Sequence, residues 1–299
     1  MLAVSELVDR LGVVSAIDEA VGPIKQRARG LSAGEFLVGV ASAQMAGEDY
    51  LIGLDRRRAD SAGAVLSPVP VAPSTTAATL ARRFDTERWH RLESALAQVA
   101  GRVLQHVGQE RRGRLLGPVT LDLDATEVEV YGSRKSGVAY NYKGQRAGRP
   151  HLASWAEAGI VLAVDLLAGD IDPRAGVVEL FDRALAALDT AAPGHGRVRV
   201  RGDIGYFTKD LAGAVVAAGC DFAIGAIRNP ATWRAAAAIP LRTGSPRTGC
   251  PGRRSRCVTT PLPAGLPGRG AWCAGCVTRQ VRSRPIRVPG AVRPSPPSS

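Results

Sequence analysis

The sequence predicts an α/β protein in three parts: a helical N-terminal domain over residues 1–112, a mixed sheet core with flanking helices over 113–240, and a largely irregular tail over 241–299. Three observations carry this. Apolar residues recur at helical spacing as far as Val107, the period turns strand-like at Pro118, and beyond Leu241 neither period survives.

In the first part, Leu7, Val8, Leu11 and Val14 recur at helical spacing. Ser32 and Glu35 have the S-x-x-E spacing of a capping box, so a second helix opens there and runs through Phe36, Val38 and Val40. Pro68, Pro70 and Pro73 mark a link. Ser74 is placed to cap a short helix carrying Leu80 and Phe84, with Arg82 and Arg83 beside them, and Thr86 to Val107 supplies one long helix. The expectation is a domain of some five helices.

Past Pro118 the apolar residues Val119, Leu121 and Leu123 hold odd positions, whereas Val128 and Val130 hold even ones. A strand therefore bends or bulges near Asp124 to Thr126. Further strands are expected at 160–166, 197–203 and 221–227, with helices at 174–189 and 207–218 between them.

Composition excludes a wholly disordered chain, at 45% hydrophobic and 22% charged residues. The longest apolar runs, such as Leu211 to Cys220, are too short to span a membrane, and no basic-then-apolar leader opens the chain. A cytoplasmic protein without membrane contact is expected. The net charge of +12 is unevenly placed, because the tail holds 11 Arg, no Lys and no acid. The first 240 residues carry the other 28 basic groups against 27 acids, so the body is nearly neutral.

Asp122 and Asp124 lie two apart on a strand and project from one face, and two carboxylates so close repel unless a cation intervenes. Asp203 closes a later strand just before Gly205 and a helix. Carboxylates gathered at strand ends form a hard-oxygen site suited to Mg²⁺ or Mn²⁺. Taken alone, each Asp is better explained by local hydrogen bonding at a strand end or turn than by metal binding.

The wording around the acids is more specific. Leu121-Asp-Leu-Asp-Ala-Thr-Glu-Val-Glu-Val-Tyr-Gly132, Val138-Ala-Tyr-Asn-Tyr-Lys-Gly-Gln145 and Arg199-Val-Arg-Gly-Asp-Ile-Gly-Tyr-Phe207 resemble the catalytic-motif regions of insertion-sequence DDE transposases, the group-1 DDE transposase domain. The resemblance reaches about Pro240 and is tightest from Pro118 to Asn229. It implies an RNase H-like core in which two Asp and a later Glu hold two divalent metals, Mg²⁺ or Mn²⁺, that cut and rejoin phosphodiesters by in-line displacement. On this resemblance Asp124 matches the first acid, Asp122 is its neighbour and possible substitute, and Asp203 matches the second. The implied partners are DNA, at the terminal inverted repeats of an insertion sequence, and further copies of the chain. Bound to DNA, such a protein would sit at the nucleoid.

Arg134, Lys135, Lys143, Arg146 and Arg149 interleave with Tyr131, Tyr140 and Tyr142 in a Gly-rich, hairpin-like stretch. With the resemblance this reads as a DNA-contacting surface, and without it as a solvated hairpin face. The helical domain is assigned to DNA binding, with Ser74 to Phe84 as a candidate part of a helix-turn-helix. Asp55 to Asp60 reads as a surface helix end. His90, His106, His151 and His195 show no ligand spacing and are taken as structural or surface residues. Gly194-His-Gly196 precedes a strand, whereas a dinucleotide-binding glycine loop follows one.

The resemblance also requires a Glu well downstream of the second Asp, yet no acid follows Asp221. At the body's rate the final 59 residues would hold about seven acids. They hold instead ten of the 20 Pro and four of the five Cys. The reading is a frameshift near Leu241 in a GC-rich gene, consistent with 35 Arg to 4 Lys, giving a disordered tail and an incomplete catalytic site. A competing reading takes Cys250, Cys257, Cys273 and Cys276 as zinc ligands, although the Cys250-x₆-Cys257 spacing is wider than a usual first pair.

Overall fold

The computed structural model describes residues 2–26, 29–132, 135–226, 229–231, 234, 258–261 and 269–273. The N-terminal helices are α1 (Leu2–Arg10), α2 (Val13–Val21), α3 (Ala33–Met45), α4 (Ile52–Ala59), α5 (Ser61–Val65), α6 (Ser74–Ala81), α7 (Thr86–His106) and α8 (Gln109–Leu115). There are eight among the described residues rather than five, because the series from Leu7 to Val14 is divided at the left-handed Gly12 into α1 and α2, and short helices flank both the Pro-rich link and the crossing into the sheet. The capping box at α3 is present: Ser32 Oγ accepts from Glu35 N at 3.1 Å and Ser32 N donates to Glu35 Oε2 at 2.8 Å. Ser74 is not the cap expected of it. Pro73 holds that position, and Ser74 donates its backbone N–H and its hydroxyl to Asp55 of α4, at 3.0 and 2.5 Å. A carboxylate from another helix thus satisfies an orphan donor at the start of α6 and suits its positive end. Ile17, Val21, Phe36, Leu54, Leu80 and Phe84 form this unit's core.

The second unit contains β1 (Val119–Ala125), β2 (Val128–Glu129), β3 (Ala139–Tyr140), β4 (Arg146–Trp155), β5 (Ile160–Ala168), α9 (Val177–Ala191), β6 (Val198–Gly202), α10 (Lys209–Ala217) and β7 (Asp221–Gly225). Its strands lie in the order β5-β4-β1-β6-β7, with β4 antiparallel to both neighbours and β1, β6 and β7 parallel. An antiparallel meander followed by parallel strands with crossover helices is the RNase H-like arrangement. Odd-numbered residues of β1 face the core, where Leu121 and Leu123 meet Trp155, Phe181, Leu188 and Phe222. The short β2 and β3 both pair with the start of β4.

Periodicity alone does not reveal β4, the sheet's ten-residue strand. Gly148 and Pro150 interrupt its apolar pattern. The missing N–H of Pro150 is tolerated because β1 ends there, its last register pair being Ala125 with His151.

Helix α7 joins the two units, packing on α2 and on α9. Arg183 of α9 ties it down, donating to Glu93 of α7 at 3.0 Å and to Asp165 of β5 at 2.8 Å. In the tail, β8 (Val258–Pro261) pairs antiparallel with β9 (Arg269–Cys273), and β9 adds parallel to β7. These strands arise in a segment with no strand period. An open sheet edge offers main-chain donors and acceptors, which pair without regard to side-chain sequence.

Candidate active site

Leu123 of β1 and Gly202 of β6 are Cα partners in the sheet, and each is followed directly by an acid, Asp124 and Asp203. The two acids therefore stand side by side at the carboxyl ends of adjacent parallel strands. Asp124 Oδ1 accepts from Ala125 N at 2.9 Å. Asp203 caps a 3₁₀ turn over Ile204–Tyr206, its Oδ1 accepting from Gly205 N at 2.8 Å. Among the described residues the second oxygen of each carboxylate has no hydrogen bond. Backbone amides thus fix both side chains and leave one oxygen of each available.

Two glycines allow the turn to fold this closely. A Cβ on Gly202 would lie 3.0 Å from the Tyr206 ring, and one on Gly225 would lie 2.8 Å from the Ile204 backbone nitrogen.

Asp122, two residues earlier on the same face as Asp124, is differently placed. It lies opposite Arg201 in the β1–β6 register, and Arg201 Nε and Nη2 bind its two oxygens. The repulsion that the sequence left to a cation is met at Asp122 by a guanidinium, and the pairing raises the Arg201 pKa.

Behind the acids, on the covered face, the rings of His151 and Tyr206 stack at 5.6 Å. Both imidazole nitrogens and the Tyr206 hydroxyl are buried without a hydrogen-bond partner among the described residues. Burial pushes the tyrosine pKa up, and the charges of Asp124 and Asp203 add to the effect. Burial also lowers the His151 pKa, outweighing the nearby carboxylates of Asp165 and Asp124. Burial thus biases both groups beneath the acids toward their neutral forms. The sequence left His151 as a structural or surface residue and did not single out Tyr206, although Tyr206 lies within the motif that carries Asp203.

The residues of the hairpin-like stretch separate into two groups. Arg149 is turned inward, its side chain only 13% exposed, donating to Glu127 Oε1 at 2.8 Å and to the carbonyls of Gly169 and Ile171. Arg146 donates to the carbonyls of Gly132 and Lys135. Lys143 reaches Glu127 Oε2 at 3.2 Å and lies over the exposed ring of Tyr142, 5.1 Å from its centre. Tyr131, Tyr140 and Lys135 are exposed, and Arg134 lies outside the described residues. Glu127, which sequence reasoning passed over, is the shared anchor of Arg149, Lys143 and the Asn141 amide. An open cleft of about 490 Å³ runs between this hairpin and the Asp203 turn, lined among others by Tyr142, Arg149, Arg174 and Gly205.

Two adjacent hard carboxylate oxygens fit a divalent cation that retains several waters. Among the described residues no group of three His, Cys, Asp or Glu is placed to hold a metal. Of the four tail cysteines, Cys273 ends β9 and the other three lie outside the described residues. No helix among the described residues is long and apolar enough to cross a membrane.

An RNase H-like sheet with paired acids at its central strand ends defines the class of this domain. The chain belongs to the family described as Transposase DDE domain group 1, whose model matches residues 1–248. It is also similar to two solved structures. One is a Mos1 transposase paired-end complex with left transposon end, at 12% identity and TM-score 0.26, covering 66% of this chain and 60% of that one. The other is the Mos1 mariner paired end complex with Mn, at 15% identity and TM-score 0.25, covering 66% and 61%. The chain thus spans about three-fifths of the length of these structures. No curated protein matches it.

Proposed function

We propose that this chain derives from a DNA transposase that cuts and rejoins phosphodiesters at insertion-sequence ends, with Asp124 and Asp203 as its divalent-metal ligands. The observation that carries the reading is the placement of these two acids on adjacent strand ends, each with one oxygen fixed by a backbone amide and one left over. Mg²⁺ or Mn²⁺ bound there would activate an attacking water or 3′-hydroxyl and stabilise the leaving oxygen. Asp124 and Asp203 hold and orient the ion, and the stacked His151 and Tyr206 rings pack beneath them. Exposed Tyr142 and Lys143, with Lys135 and Arg134, contact the DNA. Arg146 and Arg149 shape the hairpin from within.

We further propose that this copy is catalytically incomplete. No acid follows Asp221 in the 299 residues, and the family match ends at residue 248, close to the composition break at Leu241. A frameshift accounts for both. Reading the other two frames beyond codon 240 should restore acid-containing, patterned sequence with a Glu for the third position. If neither frame does, the frameshift is ruled out.

The same missing acid favours a second role, a non-catalytic protein that occupies DNA ends and associates with intact copies. Incubating the full chain with terminal-repeat DNA and Mg²⁺ or Mn²⁺ tests both. Binding without cleavage is expected, and cleavage abolished by Asp203→Asn would overturn the incompleteness.

A further inference from the structure

A second basic feature lies in the helical unit, away from the hairpin. A cleft of about 770 Å³ opens between the chain after α2 and the junction of α6 with α7, lined by Pro23, Ile24, Lys25, Arg29, Arg83 and Arg88 among others. Four cations meet there, and no acid is among the lining residues. Two of them are held by backbone carbonyls: Arg83 Nη1 donates to Ile24 O at 3.1 Å, and Lys25 Nζ donates to Arg29 O at 2.7 Å. Each of those bonds uses one donor of a group that carries several. Arg88 pairs through Nη1 with Asp85, which offsets one of the four charges, but its Nε is buried with no partner among the described residues. In a body whose basic and acidic groups nearly balance, this concentration is not a product of overall composition.

The cleft lies at the same end of the molecule as the acid pair. Asp124, Leu152 and Val164 are level with one another across β1, β4 and β5, and Glu93 of α7 accepts from Val164 N at 2.9 Å. From Glu93 the helix runs toward α8 and Leu116, whose carbonyl accepts from Gly196 N just before β6 begins. The start of α7 therefore points past the carboxyl ends of the strands. Arg88 lies five residues before Glu93, roughly 7.5 Å further out along the axis.

We infer that this cleft is a docking site for the sugar–phosphate backbone of duplex DNA, holding the duplex beside Asp124 and Asp203; the inference rests on the DNA-processing reading above. Unused N–H donors and three uncompensated positive charges suit phosphate oxygens, and such contacts position a duplex without reading its sequence.

The test is fluorescence anisotropy of the full chain with a duplex of arbitrary sequence across a salt series. The proteins are wild type, Lys25→Gln/Arg29→Gln, Arg88→Gln and an Arg111→Ala/Arg112→Ala control on α8, with folding checked by circular dichroism. The double cleft variant should weaken binding about tenfold and flatten the slope of log K against log salt by about two, roughly 0.9 for each phosphate that is no longer neutralised. The Arg88 variant should flatten it by about one, and the control should leave it unchanged. Wild-type binding with a slope that the cleft variants do not alter, or that the control alters equally, overturns the cleft and leaves the acid-pair reading standing. A wild-type chain that binds no duplex overturns the DNA reading itself and the cleft with it.

Discussion

Asp122 and Arg201 face each other across β1 and β6, and the guanidinium binds both carboxylate oxygens. Of the two acids in the D-x-D strand, only Asp124 keeps an oxygen without a hydrogen bond among the described residues. Asp122→Asn should therefore leave Mn²⁺ affinity within about twofold of wild type, well under the 1.4 kcal/mol of a tenfold change. Arg201→Ala should tighten it a few-fold, because it frees a second carboxylate on the face of Asp124. Calorimetric Mn²⁺ titration reads both, and a large loss in Asp122→Asn would identify Asp122 as a ligand.

Arg183 bridges Glu93 and Asp165, and its side chain is 20% exposed against 11% for Glu93. Arg183→Ala leaves the largely buried Glu93 carboxylate without its counter-charge, held only by the Val164 amide. The expected cost is about 2 kcal/mol, below the 3–5 kcal/mol of a fully buried pair because Asp165 retains access to water. Urea unfolding measures this, and an unchanged midpoint would show that α7 is held by packing alone.

Hydrogen bonding to Arg149 holds the Glu127 carboxyl below its usual range, with Lys143 adding to the effect. A depressed carboxylate pKa contributes stability that is present above the unfolded value, about 4.3, and is lost as pH falls through the folded value. Glu127→Gln should therefore melt below wild type at neutral pH, and the two curves should converge in acid. A constant difference down to the lowest pH at which both fold would contradict the role assigned to Glu127.

Gly202→Ala should displace the Tyr206 ring, 3.0 Å from the added carbon, and with it the turn that orients Asp203. Overpacking of this kind costs roughly 1–3 kcal/mol. Reduced Mn²⁺ affinity in a variant that remains folded is the outcome expected. Unchanged affinity would show that Asp203 is positioned independently of the turn.

The acids and their strands were legible because β1 and β6 alternate cleanly and end in motif residues. Strand β4 was not. In β4, Gly148 and Pro150 mask a strand whose place is set by pairing with β1 and β5, and such pairing leaves no local period. The hairpin cations were legible as charges but not as contacts, since the inward turn of Arg149 is set by Glu127, 22 residues away in the sequence. Ser74 shows the same limit: its composition suits a cap, yet Asp55 from another helix supplies the carboxylate. Tail strands β8 and β9 had no signal, because joining a sheet edge depends on main-chain groups rather than side-chain pattern.

If Asp124 and Asp203 together form the metal-holding pair, removing either should release the same ion. Mn²⁺ titration of the full chain followed by electron paramagnetic resonance reads this, comparing wild type with Asp124→Asn, Asp203→Asn and the double variant. Wild type should bind Mn²⁺ with an affinity that falls at least about tenfold in each single variant, with little further loss in the double, since the two acids act on one ion. Equal binding in all four proteins would contradict the pairing.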